Sequence, residues 1–539
     1  MTHCRLSPAG AAGAAASLLA LTSLLLPLSG GCRAASQPAA TSPSLPPLPV
    51  ATPQSRPSAV SLHWPVPPPP PLRSAAPVLR VALAARLGPG GAIAPERAAP
   101  LLLRGAGAEL LLRDAAGRHL RAAQFSLRWR LQPLPETLPI RRRVIGPFAS
   151  YESAGQAAAA WRQRGAAVVI ARPLDWEVWA PAEAPEPPLG GSRLVERQER
   201  VRLTLELPRT TGPLALQGPL RIDAPAGLLW QGALHRGPFL LQPDAYGSWS
   251  LVEEVPLERY LEGVVPHEIG AAAPPAALAA QAILARTWAV RNRGRFAVDG
   301  YHLCADTQCQ VYGDTRLAGA AVRQAIAATQ HLVLASAGTP IHAVYHASNG
   351  GVAAGYEEGW AGPPLPYLRA FADGPPAFVA RYPLPLQPGS LATLLRPGPP
   401  LAWGADHPRH RWQRTLTATG LQEALGVAGL GLPSRVEVLE RGPSGRVLAL
   451  AIHGSAGSRV LRLDAIRRNL RQLPSTLFQI RTIGPSRWLV EGAGFGHGAG
   501  LSQAGAIDLA RRGWSTDRIL ARYYPGSSLV PLRSLGEGL

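Results

Sequence analysis

The sequence contains no lysine: all 54 basic residues among its 539 are arginine. Abundant Ala, Gly and Pro accompany this replacement, as GC-rich coding would produce. The arginines are scattered, and no basic run carries interleaved aromatics, so a nucleic-acid partner is not expected. Charged residues make up only 16% of the chain and hydrophobic residues 46%, which excludes a largely disordered protein. The net charge of +20 still favours a polyanionic surface, such as a cell-wall polymer or an anionic membrane. Cysteine is scarce, with only Cys4, Cys32, Cys304 and Cys309, so stability must come from apolar cores rather than a disulfide framework. No period of 20 to 50 residues marks a solenoid. No Gly-x-Ser-x-Gly elbow supports a serine hydrolase.

What is present divides the chain. Residues 1–36 read as an export signal: Arg5, an apolar stretch over 11–28, then Ser29, Gly30 and Gly31. Gly30-Gly31-Cys32 resembles a lipoprotein processing site, making Cys32 a candidate lipid anchor, although Ser29 replaces the usual aliphatic residue. The expected location is the periplasm or cell envelope. Residues 37–76 are rich in Pro, Ser and Ala and read as a disordered or polyproline tether. Strands are expected from Val78 on, in a β-rich region over 77–200. Residues 144–179 read as strand, helix, strand. This segment, within 141–180, resembles the SPOR module, which binds glycan strands lacking stem peptides; an ordinary strand–helix–strand insert fits the same residues. Residues 375–400 read as a Pro-rich surface loop. Alternating patterns place strands at 201–207, 412–417 and 435–453, the last a hairpin turning at Gly442-Pro-Ser-Gly445. A second hairpin is expected between 331–335 and 341–346.

Four segments look over-specified for folding alone. Tyr260-Leu-Glu-Gly-Val-Val-Pro-His-Glu268 precedes an Ala-rich helix that carries Gln281 and Arg286, with Pro274 and Pro275 in its first turn. Cys304-Ala-Asp-Thr-Gln-Cys-Gln-Val-Tyr312 follows His302. Tyr345-His-Ala-Ser-Asn-Gly-Gly351 brings Tyr345, His346 and Ser348. Gly494-Phe-Gly-His-Gly-Ala-Gly-Leu-Ser-Gln-Ala-Gly505 brings His497, Ser502 and Gln503. Singly, each has a structural explanation: a helix-dipole contact for Glu268, an ion pair for Arg286, a core histidine for His346, an N-cap for Ser502. Glu254, Glu258 and Glu262 read as solvated surface acids. His302, Cys304 and Cys309 offer three ligands that zinc accepts. The two cysteines are also spaced for a disulfide, which an exported compartment favours.

Together and in this order, the four segments resemble the stage II sporulation protein D (SpoIID/LytB, amidase-enhancer) family over residues 219–530, with a poorer match from 375 to 490. The resemblance implies an α+β protein whose domain at 201–535 holds a central substrate cleft. It implies a lytic transglycosylase cleaving peptide-free peptidoglycan strands between N-acetylmuramic acid and N-acetylglucosamine, with 1,6-anhydro-muramic ends as product. Glu268 falls at the family's catalytic acid. Gln281, Arg286, Tyr345, His346, Ser348, His497, Ser502 and Gln503 fall at substrate-side positions. Some members carry structural zinc through cysteine and histidine near Cys304, but Gln308 stands where those members have histidine. No cofactor is required by the chemistry. The alternative reading is a non-catalytic glycan-binding activator of a cell-wall amidase.

Overall fold

Apolar–polar alternation builds the N-terminal half as two sheets packed face to face, in a computed structural model that describes residues 60–89, 93–188, 190–396, 401–426 and 429–536. The expected signal, Cys32 and the first part of the tether lie outside these residues. The described residues belong to one compact unit, Ala51–Leu539. One sheet has seven strands, in the order Leu303–Cys304, Val78–Leu87, Trp249–Pro256, Phe239–Pro243, Leu220–Asp223, Leu110–Arg113, His119–Ala122. The other is organised on the 25-residue strand Gln124–Phe148, which pairs with Leu101–Gly105 at its start and Trp176–Pro181 at its end, and with Arg193–Leu207 along its length. Their inward residues, including Leu103, Phe125, Trp129, Leu205, Ile222, Phe239 and Trp249, form one core. With the helices that follow, the architecture is α+β.

Strand Trp249–Pro256 runs directly into the helix Leu257–Val265, then a π-turn over Pro266–Gly270, then the long helix Pro275–Arg291. Every residue of the long helix from Ala280 to Val290 is buried. A helix apolar all round belongs inside a core, and alanine lets its neighbours approach closely. Around it pack the helices Leu257–Val265, Ala320–Ala328, Gln503–Arg511 and Thr516–Tyr523.

The region of poorer resemblance is an insertion with its own core. Its strands form two three-stranded antiparallel sheets, one from Arg411–Thr417, Arg487–Ala493 and Phe478–Gly484, the other from Pro433–Arg441, Val447–Gly454 and Gly457–Arg462. Leu416, Leu450, Ile452, Ile466, Phe478, Trp488 and Val490 fill the space between them.

Several expectations are corrected. The Pro-rich tract is docked from Ser61 onward rather than free: Ser61 bridges Ile140, Trp64 N–H donates to Ala245 O at 3.2 Å, and Leu72 is buried. Extended proline-rich backbone lacks internal hydrogen bonds, so its carbonyls are open to partners; Pro70 O takes one from His302. Residues 375–400 are not simply loop. Pro376–Arg381 and Pro388–Leu395 are helices that bury Phe378, Leu391 and Leu394, each starting with proline in its first turn. The expected hairpin at 331–346 is only partly formed. Leu332–Ser336 does pair with Thr339–Pro340, but Tyr345–His346 leaves it to run parallel to Leu501–Ser502. Glu254 and Glu258 are not solvated: Glu254 pairs with Arg80 and Arg221, and Glu258 with Arg286. The hairpin turning at residues 442–445 forms as expected.

Candidate active site

Glu268 sits in the π-turn Pro266–Gly270, a widened turn of the kind that re-aims side chains at functional positions. Its Oε1 accepts the Val311 backbone N–H at 2.7 Å. The carboxyl lines a cleft of about 820 Å³ together with Gln310, Tyr345, His346, His497 and Gln503. Burial pushes its pKa above the usual carboxylate range, and that effect prevails over the opposing contacts of Val311, Tyr345 and Gln503.

The groups around Glu268 are held by a connected set of hydrogen bonds. Tyr345 O–H donates to Gln310 Oε1 at 2.7 Å. Gln310 Nε2 in turn donates to Tyr260 Oη and Ala285 O, each at 3.2 Å. Gln503 Nε2 donates to Gln281 Oε1 at 3.3 Å, so the long helix orients the cleft-lining amide from behind. Gln281 itself is fully buried.

The two histidines are fixed by backbone and kept neutral. His497 Nε2–H donates to Tyr345 O at 2.9 Å, and its Nδ1 accepts the Ala499 N–H at 3.2 Å. Burial lowers its pKa to about 3, and that of His346 well below the usual range. The glycines beside them permit close approach. A Cβ on Gly500 would lie 2.0 Å from Val344 O, and Gly496, at φ +116°, has the His346 side chain against it.

Arg286, Ser348, Ser502, His302 and Cys304 lie outside the cleft lining. Arg286 makes a bidentate pair with Glu258, at 2.9 and 2.6 Å, and donates to Leu332 O at 3.0 Å, away from the cleft lining. Ser348 Oγ accepts from Gly350 N–H, and Ser502 Oγ caps the helix Gln503–Arg511 through Gly505 N–H. Cys304 and Cys309 form a disulfide with Cα atoms 5.7 Å apart. Both ring nitrogens of His302 are used, by Arg80 N–H and by Pro70 O. With the sulfurs joined and the imidazole committed to backbone, these residues do not fit zinc. Closing so short a loop is worth about 2 kcal/mol by chain entropy. Replacing both cysteines by serine is therefore expected to lower stability by about that amount in denaturant titrations, and peptide mapping of the untreated protein should recover Cys304 and Cys309 linked.

The cleft has walls that the motifs did not indicate. The segment 144–179 contributes Tyr151, Glu152 and Trp176. Arg295, beyond the end of the long helix, staples that segment in place. Its Nη2 donates to Glu152 at 2.5 Å, its Nη1 donates to Gln308 O at 3.0 Å, and its guanidinium lies 4.4 Å from the Tyr151 ring centroid. Trp176 Nε1 donates to Gln308 Oε1 at 2.9 Å. The insertion contributes Asp464, Arg467, Arg468 and Arg471. Tyr151, Glu152 and Trp176 fall in the segment read as a SPOR-like or ordinary strand–helix–strand unit, and nothing in that reading placed them at the cleft.

Glu268 is set apart from the other cleft carboxyls by its partners. Burial is the largest single influence on Glu152 and would raise it, but Arg295, a backbone hydrogen bond and His342 together hold the group below its ordinary value. Asp175 pairs with Arg468. Glu358 accepts from Gly355 N–H, Ser444 N–H and the Ser444 hydroxyl. Asp464 accepts from the hydroxyls of Ser150 and Ser153. Glu268 has neither a cation nor a serine hydroxyl on it among the described residues.

Fold and site thus define an α+β protein with a cleft lined in part by aromatic rings and holding a partly buried acid that faces no cation among the described residues. The chain belongs to the stage II sporulation protein D family. A family model described as "Stage II sporulation protein" matches residues 245–335, and one described as a domain of unknown function, DUF8618, matches residues 354–500. The chain is 30% identical to the stage II sporulation protein D of Bacillus subtilis over 296 residues, covering 52% of this chain and 75% of the relative. It is 29% identical to the protein of the same name from Bacillus amyloliquefaciens, covering 51% and 74%. It is 28% identical to a Bacillus subtilis protein named amidase enhancer, covering 50% of this chain and 40% of that one.

Proposed function

We propose that this protein is a lytic transglycosylase of the cell envelope, cleaving peptidoglycan strands free of stem peptides between N-acetylmuramic acid and N-acetylglucosamine. The observation that carries the reading is Glu268, a partly buried carboxyl with raised pKa that lines the cleft beside Tyr345 and Gln503 with neither a cation nor a serine hydroxyl on it among the described residues. A neutral carboxylic acid can donate its proton to the departing glycosidic oxygen as the C1–O bond breaks. The resulting carboxylate then removes the proton of the muramic C6 hydroxyl as that oxygen bonds to C1. A 1,6-anhydro ring closes, no water is consumed, and Glu268 regains its proton. One carboxyl serves both steps, whereas glycosidases that use water pair two. Tyr151 and Phe495, both partly exposed, give the cleft apolar ring surface suited to sugar rings.

Export through residues 1–36, with Cys32 as lipid anchor, belongs to the same reading, since the substrate lies outside the cytoplasmic membrane. The second reading, a non-catalytic activator of a cell-wall amidase, is favoured by the relative named amidase enhancer. Incubating the purified protein with peptide-free glycan separates the two. Mass spectrometry is expected to show 1,6-anhydro-muramic ends. Intact glycan, together with stimulation of an added amidase, would favour the activator.

A further inference from the structure

Arg467 has no hydrogen bond or close ion pair among the described residues, and only the nearby charge of Asp464 offsets its burial. It lines the same cleft as Glu268, from the short helix Asp464–Asn469 of the insertion. Its Nε is sealed from solvent and lacks a hydrogen bond, and among the described residues its guanidinium makes no ion pair. Three other arginines of the cleft are matched: Arg295 by Glu152, Arg468 by Asp175, and Arg172 by Asp306 at 3.6 Å. The carboxyl nearest in sequence, Asp464, acts on it through charge alone, its hydrogen bonds going to two serine hydroxyls. The helix is reached through Leu463, whose φ of +47° is one that a branched side chain rarely adopts. A strained entry that carries a desolvated cation into a cleft, with no hydrogen bond to its buried Nε among the described residues, leaves that cation only partly compensated. An anion from outside would complete it.

We infer that Arg467 is a specificity subsite for the free lactyl carboxylate of muramic acid, which rests on the glycan reading above. In a strand stripped of its peptides, every second sugar carries that carboxylate on its O3 substituent. In a strand still bearing stem peptides, the same carbon is a neutral amide with a bulky extension. A guanidinium offers a planar fork that matches a carboxylate with two parallel hydrogen bonds and matches an amide poorly. Arg471, exposed at the same wall, adds positive charge at the approach. Peptide-free glycan is selected by attraction as well as by the exclusion of bulk. The selecting residues come from the insertion, within the stretch 354–500 and outside the stretch 245–335 that holds Glu268.

The test is a binding comparison in the full chain carrying Glu268→Gln, which prevents turnover. One ligand is peptide-free glycan; the other is the same glycan with its lactyl carboxylates converted to primary amides. Loss of a charge-assisted bidentate contact corresponds to about tenfold or more in affinity. The amidated glycan is expected to bind at least about tenfold more weakly, with Arg467→Gln abolishing the difference and Arg467→Lys retaining part of it. Equal binding of both glycans by the Arg467 protein overturns the inference without recourse to any variant, and so does full discrimination by Arg467→Gln. Failure to bind either glycan overturns the glycan reading as well. If the parent protein, with Glu268 present, yields no anhydro ends while this discrimination holds, the inference stands and only the transglycosylase step is removed.

Discussion

Glu268→Gln is expected to abolish formation of 1,6-anhydro ends while leaving the fold and glycan binding intact. General acid–base assistance is worth roughly 10²–10⁴-fold for a positioned group. Because Glu268 would serve first as acid and then as base, the loss in kcat should be at least about 10³-fold, with KM little changed. Glutamine preserves shape and can still accept the Val311 N–H, so a structural explanation of lost activity is removed. The pH dependence has a definite sign. The acid step requires the proton on Glu268, and burial raises its pKa from 4.5. Activity should persist above the ordinary carboxylate range and fall as pH rises through the raised value. Stability follows the same direction. Between 4.5 and the folded-state value the unfolded chain has ionised while the folded chain holds its proton, so stability declines as pH rises through that window. Glu268→Gln removes this decline, and denaturation midpoints of the variant at neutral pH should equal or exceed those of the parent. A variant that kept full glycan cleavage would end the catalytic reading.

The site was legible in the sequence where its chemistry is local, and illegible where it depends on long-range packing. Glu268, Tyr345, His346, His497 and Gln503 were each marked by unusual neighbours, and all five line one cleft. The interval between Gln281 and Arg286 was also informative. Five residues turn a helix by about 140°, so the two face different ways. The structure directs Gln281 toward Gln503 and Arg286 toward Glu258. Arg295, Glu152, Trp176 and Arg467 carry no local signature; their meaning appears only when the segment 144–179 and the insertion close over the cleft. Likewise, composition identified the proline-rich tract but not its docking, because proline content fixes backbone shape without naming the carbonyl partners that His302 and Arg142 supply. Tyr345–His346 was misassigned to a hairpin for a related reason. A two-residue strand cannot announce that its parallel partner lies some 150 residues downstream.

Arg286→Ala is expected to destabilise the protein without altering the chemistry of the molecules that remain folded. Arg286 is fully buried and makes three hydrogen bonds, two to Glu258 and one to Leu332 O. It ties the long helix to the helix Leu257–Val265 and to the edge of strand Leu332–Ser336. Removing one member of a buried pair strands the other charge and costs about 3–5 kcal/mol. Glu258 is 23% exposed and can recover some hydration, which places the expected loss near the lower end. Against a typical stability of about 5–15 kcal/mol, such a loss is readily measured by urea titration. Lysine at 286 keeps the charge but not the two-pronged contact, and should recover only part of it. The decisive comparison is Arg286→Met with Glu258→Gln. Neutralising both partners removes the stranded charge, so the double variant should be clearly more stable than Arg286→Ala alone. If Arg286 instead contacted substrate, single and double variants would share a large loss of glycan cleavage per folded molecule. With Arg286 held behind the cleft, cleavage per folded molecule should stay within about threefold of the parent, consistent with a residue that touches no reacting atom.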